Sequence, residues 1–132
     1  MTKEALLQAA KEGMKKSYSP YSNFSVGAAL LTKDGKVFTG CNIENASYGA
    51  AICAERTAMV KAISEGYQEF EKIAIVCSNG TFAYPCGICR QFISEFMLDG
   101  TVIIEDKKEG IREIPVKDLL PEAFTRKDLI NG

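Results

Sequence analysis

Cys53-Ala54-Glu55-Arg56 and Pro85-Cys86-Gly87-Ile88-Cys89-Arg90 are the two stretches on which the fold of this chain turns. Each opens a helical pattern. Ala54, Ala58, Met59, Ala62 and Ile63 recur at helical spacing after the first, and Phe92, Ile93 and Phe96 after the second. Between the two helices, Phe70 to Cys77 is apolar through Ile73-Ala74-Ile75-Val76 and reads as a buried strand. Helices that cross over between strands usually lay those strands parallel, so the centre of the chain reads as layered α/β.

Outward from that centre the elements stay short. Lys3 to Ser17 reads as a helix, with Thr2 as N-cap and Ala5, Leu6, Ala9, Ala10 and Met14 on its apolar face. Ser19-Pro20-Tyr21-Ser22 breaks it. Phe24 to Thr32 reads as a strand, Asp34-Gly35 as a hairpin turn and Val37 to Cys41 as the return strand. Asn42 to Ala51 is rich in turn formers. Beyond the second helix, Asp99-Gly100 is a stop and Thr101 to Glu105 a strand. Lys107 to Gly110 is a turn, Ile111 to Pro115 an edge strand and Val116 to Leu120 a short helix closed by Pro121. Ala123-Phe124-Thr125 and a polar tail finish the chain. The order α-β-β-α-β-α-β-β-α predicts a single domain over residues 1–132, a three-layer α/β/α sandwich around one mixed, five-stranded sheet.

Composition narrows the function classes. The 132 residues are 46% hydrophobic and 25% charged, enough for a core without disulfides, and the net charge of −1 gives no support to a nucleic-acid partner. Apolar runs such as Val26 to Leu31 are far too short to cross a membrane, and Met1-Thr2-Lys3-Glu4 leads into no signal-peptide core. A cytoplasmic location is the resulting expectation. In that reducing compartment the five cysteines are expected to be free of disulfides. Cys41 and Cys77, in or beside strand-like runs, read as small buried hydrophobes.

Cys53, Cys86 and Cys89 read differently. The chain has no histidine, so any metal must be held by sulfur, carboxylate or water. Cys53 and Cys86 fall at helix starts, where free N–H groups and the helix dipole favour thiolates. Cys86 and Cys89, three apart, share a helix face. Three thiolates hold zinc and leave a fourth tetrahedral position open, the pattern of a catalytic site, so one Zn²⁺ per chain is expected. Glu55 is the candidate proton carrier beside it. Zinc with three thiolates carries a net negative charge. Arg56 is expected to offset it by donating to ligand sulfurs, with Arg90 as the second candidate. The bland alternatives are solvated arginines and a structural zinc clip in a binding module, with Cys41 or Cys77 as fourth ligand.

The zinc motif alone fits many nucleobase deaminases. Further segments narrow the choice: Ser19-Pro20-Tyr21-Ser22, Val26-Gly27-Ala28-Ala29-Leu30, Gly40-Cys41-Asn42-Ile43-Glu44-Asn45-Ala46-Ser47-Tyr48, Cys53-Ala54-Glu55-Arg56-Thr57-Ala58, Pro85-Cys86-Gly87-Ile88-Cys89-Arg90-Gln91 and Leu119-Leu120-Pro121. With them the chain resembles, over nearly its whole length, the small homotetrameric, three-cysteine cytidine deaminases. That resemblance implies zinc on Cys53, Cys86 and Cys89, with Glu55 shuttling the proton. It implies Asn42 and Glu44 on the ribose 3′-hydroxyl, and Phe24 and Phe124 packed on the pyrimidine, Phe124 from an adjacent chain. Ala46 and Tyr48 would reach a 5′-hydroxyl in a neighbouring subunit, and the Ala54 backbone, with Glu55, would hold the base edge. The implied reaction is the pyrimidine-salvage conversion of cytidine and deoxycytidine to uridine and deoxyuridine with release of ammonia. A carboxylate such as Glu44 accepts from a hydroxyl and repels phosphate, which favours a nucleoside over a nucleotide. Without the resemblance, Asn42, Glu44 and Asn45 read as ordinary turn residues. A deaminase of a modified nucleoside, such as a blasticidin-type antibiotic, shares the cysteine motif. The loop from Ser78 to Tyr84 departs from the family pattern just before Cys86.

Overall fold

The computed structural model describes residues 1–130. A central strand β1 (Val26–Thr32) pairs antiparallel with β2 (Val37–Cys41) on one side and with β3 (Phe70–Cys77) on the other. β3 pairs parallel with β4 (Thr101–Asp106), which pairs antiparallel with β5 (Gly110–Pro115). The result is one mixed five-stranded sheet in the order β2-β1-β3-β4-β5. Helix α1 (Lys3–Met14) covers one face, while α2 (Ala54–Ser64) and α3 (Gly87–Phe96) cover the other.

The continuous apolar runs are explained by this sandwiching. Side chains alternate across a strand, so a strand buried on both faces has no polar phase. Ala29, Leu31, Ala74, Val76 and Ile103 meet Leu6, Leu7 and Ala10 of α1. Their neighbours Ala28, Leu30, Ile73, Ile75, Val102 and Ile104 belong to the opposite core, with Ala58, Met59, Ala62 and Ile93. Two glycines let the layers close. A Cβ on Gly27 would stand 2.2 Å from the Ala10 carbonyl oxygen of α1, and one on Gly40 2.5 Å from the Ala54 carbonyl oxygen of α2.

The structure moves several predicted boundaries. α1 ends at Met14 rather than Ser17, and β1 starts at Val26 rather than Phe24. Asn23 adopts a left-handed φ of 56°, which turns the chain before Phe24. α4 (Val116–Leu119) is one residue shorter than expected. The C-terminal stretch expected as a polar tail instead forms α5 (Arg126–Ile130), where Asp128 accepts from the Thr125 N–H at 2.9 Å. The last two residues of that tail, 131–132, lie outside the described residues. Among the described residues, no helix is long and apolar enough to cross a membrane.

Candidate active site

Because β2 and β3 both run antiparallel to β1, they point the same way, and the helices that follow them start at one edge of the sheet. Open α/β sheets bind ligands at that edge. Cys53 and Cys86 are the N-caps of α2 and α3, with extended backbones (φ −75° and −71°). Their carbonyls accept the first helical bonds, from Thr57 N–H at 3.0 Å and Arg90 N–H at 2.9 Å. Neither side chain caps its helix, which leaves both sulfurs free for another partner.

The sulfurs of Cys53 and Cys86 lie 3.8 Å apart, and those of Cys53, Cys86 and Cys89 all fall within 4.8 Å of one another. Zinc–sulfur bonds of about 2.3 Å at the tetrahedral angle require an edge of about 3.8 Å. The cluster is therefore positioned to hold one zinc ion, with Cys89 buried beneath and Cys86 exposed. Neither Cys41 nor Cys77 joins it, so the fourth-cysteine alternative finds no ligand here. Cys77 is buried as expected, with its Sγ 3.4 Å from the Thr81 carbonyl oxygen, whereas Cys41 is only half-buried.

Charge is distributed unevenly among the groups. Hydrogen bonding with Cys89, then with Arg56 and Cys86, lowers the Cys53 thiol to about 5. The Cys89 thiol is pushed up, by that same hydrogen bond to Cys53 and then by burial. Without a metal, negative charge is therefore favoured on Cys53 over Cys89. Glu55, only 4% exposed, is raised to about 7 by burial. Arg56 donates from Nη2 to Cys53 Sγ at 3.8 Å, and its buried Nε has no partner among the described residues. Arg90 turns away from the sulfurs. Its Nε donates to Pro85 O at 2.8 Å and its Nη1 to Leu119 O at 3.0 Å, so it braces the cysteine loop against α4.

The cluster opens into a cavity of about 620 Å³, a size suited to a small organic ligand. Phe24, Asn42, Glu44, Tyr48, Ala54, Glu55 and Arg56 line it, with Cys53 and Cys86. Asn42 has a scaffold task that its turn-rich context hid. Its Oδ1 accepts from Val26 N–H at 2.9 Å and from the Ser17 hydroxyl, and its Nδ2 donates to Phe24 O at 2.8 Å. One Nδ2 hydrogen remains. Glu44 similarly holds the 19–22 turn, accepting from Tyr21 N–H at 2.9 Å, Ser22 N–H at 3.2 Å and the Ser22 hydroxyl. Those bonds hold its carboxyl below its usual range, the Ser22 hydroxyl most of all. Ala46 and Phe124 do not line this chain's cavity, and both are exposed. Val26, Ile75, Phe82 and Ala83 form an apolar wall of the cavity, and Phe82 and Ala83 belong to the 78–84 loop that departs from the family pattern.

A mixed sheet with three zinc-spaced thiolates and a buried carboxyl at two helix starts defines a zinc-dependent deaminase site. Residues 1–105 match the family model described as the cytidine and deoxycytidylate deaminase zinc-binding region, and the chain belongs to that family. It is 47% identical to a cytidine deaminase of Halalkalibacterium halodurans over 98% of each chain. With a cytidine deaminase of Sporosarcina psychrophila it shares 45% identity over 98% of this chain and 96% of that one. The crystal structure of cytidine deaminase from Burkholderia pseudomallei superposes with a TM-score of 0.89 at 50% identity, covering 94% of this chain and 100% of that one.

Proposed function

We propose that residues 1–132 act as one cytidine deaminase domain that converts cytidine and deoxycytidine to uridine and deoxyuridine with release of ammonia. The observation that carries this is the conjunction of three zinc-spaced sulfurs with a cavity that two of them, Cys53 and Cys86, line together with buried Glu55. Zinc, when bound by Cys53, Cys86 and Cys89, supplies a Lewis acid that makes water nucleophilic near neutral pH.

The chain's own residues do the rest. Glu55 takes the proton that water loses, passes it to N3 of the base and later helps the departing amine gain its own. The water oxygen stays on C4 and the amine nitrogen leaves as ammonia. Burial, which raises this carboxyl, favours its holding a proton between the two halves of such a shuttle. The Ala54 backbone, with Glu55, holds the base edge at the start of α2, and Phe24 packs on the pyrimidine. Asn42 offers its remaining N–H, and Glu44 its unused lone pairs, to the ribose 3′-hydroxyl, which both accepts and donates. Arg56 offsets thiolate charge.

The reading extends to a homotetramer in the cytoplasm. Ala46 and Tyr48 reach the 5′-hydroxyl in a neighbouring subunit, and Phe124 packs on a neighbour's pyrimidine. It is supported by the exposure of all three residues and by the absence of Ala46 and Phe124 from their own cavity. Ammonia release by the zinc-loaded chain from cytidine, cytidine 3′-monophosphate and blasticidin S tests the assignment. Turnover is expected with cytidine and little with the nucleotide, since Glu44 repels phosphate. No ammonia from cytidine refutes the proposal, and preference for blasticidin S overturns the substrate class.

A further inference from the structure

Helix α3 carries three consecutive residues with separate tasks. Cys89 belongs to the metal cluster, Arg90 donates to Leu119 O, and the Gln91 side-chain amide donates from Nε2 to Phe124 O at 2.7 Å. The last two bonds reach 29 and 33 residues along the chain and hold both ends of the 119–124 segment on the metal-holding helix. Between them Glu122 sits in the left-handed region at φ 53°, which costs free energy for a residue with a Cβ. Yet Phe124 is 60% exposed. Its backbone is clamped while its apolar ring is presented to solvent, away from this chain's own cavity. Leu129 and Ile130 on α5, just beyond that segment, are exposed as well.

We propose that Gln91 is a positioning residue for a neighbouring chain's site: by gripping the Phe124 carbonyl it aims that ring at a second copy of this chain. The helix that supplies two sulfurs to its own site thereby also sets the aromatic wall of the next. This rests on the reading above that Phe124 packs on a neighbour's pyrimidine. Gln91 touches neither substrate nor metal, so its loss acts on substrate binding and leaves zinc in place.

The zinc-loaded, assembled protein tests this in three linked measurements. First, Gln91→Ala is expected to raise the KM for cytidine roughly three- to tenfold, the effect of one lost hydrogen bond, with kcat and zinc content nearly unchanged. Gln91→Lys, which restores a donor, is expected to recover most of the loss. Second, the chain contains no tryptophan, so Phe124→Trp provides a single emission that reports on this position. Adding Gln91→Ala to it is expected to lower anisotropy and shift emission to the red. Third, Gln91→Ala chains reassembled with Glu55→Ala chains are expected to form sites with KM near the parent value, since each lends what the other lacks. Phe124→Ala chains mixed with Glu55→Ala chains are the control. A gain in the control without one in the Gln91→Ala mixture overturns this proposal alone. No gain in either overturns the reading of Phe124 and this proposal with it. An unchanged KM and unchanged Trp anisotropy in the Gln91→Ala variants also overturn it.

Discussion

Gly40→Ala is a one-methyl test of how the sheet positions the metal cluster. The new Cβ would stand 2.5 Å from Ala54 O, 2.5 Å from Ala58 N and 3.1 Å from Ala58 Cα. Those atoms are helix backbone, which has no rotamer to change. Relieving contacts that normally exceed about 3.4 Å requires α2 to move off β2 by roughly half an ångström or more, and overpacking of this kind costs about 1–3 kcal/mol. In a chain of this size that corresponds to roughly 3–15 °C in Tm. The same motion carries Cys53, the N-cap of α2, away from Cys86 on α3. A zinc site tolerates only about 0.2 Å in its bond lengths, so affinity falls along with stability. The assay is thermal unfolding with and without zinc at equal protein concentration, together with the rate of zinc transfer to a chelator. Faster zinc loss and a Tm lowered in both forms are expected. A Tm within a degree of the parent and an unchanged transfer rate would refute the reasoning.

Other substitutions probe individual groups. Replacing Cys53, Cys86 or Cys89 by Ala is expected to reduce zinc well below one per chain and lower the holoprotein's Tm, and full occupancy in Cys53→Ala would remove that residue from the cluster. Glu55→Gln is expected to keep zinc and lose about 10²–10⁴-fold in kcat, whereas near-parental turnover would take Glu55 out of the proton path. In the metal-free protein, Glu55 is raised from 4.5 to about 7, so its contribution to stability is full below pH 4.5 and lost as pH rises through 7. Removing that group by Glu55→Gln is expected to abolish a fall of about 3 kcal/mol over that window, measured by denaturant unfolding. Arg56→Gln is expected to move the pH at which zinc is released upward, because the thiolates lose a cationic neighbour. An unchanged release curve would return Arg56 to a packing role.

The local code was strong where burial is strong. Strands with no polar phase, two helices opened by cysteines and an Asp-Gly turn specified the sandwich, because a strand buried on both faces has only apolar choices. Residue type and spacing likewise marked Cys53, Glu55, Cys86 and Cys89, since few side chains hold zinc or move a proton beside it. What the sequence left open depends on partners far along the chain. Asn42 spends most of its amide on Ser17, Phe24 and Val26, which shapes the mouth of the cavity. Arg90, the second candidate for the counter-charge, instead bridges Pro85 and Leu119. Phe124 is exposed although its backbone is held by Gln91. The helix at Arg126–Ile130 was signalled only by Thr125 and Asp128. Hydrogen bonds have direction and short range, so only the folded backbone determines which donor meets which acceptor, whereas hydrophobic burial is non-directional and is written into the pattern of residue types.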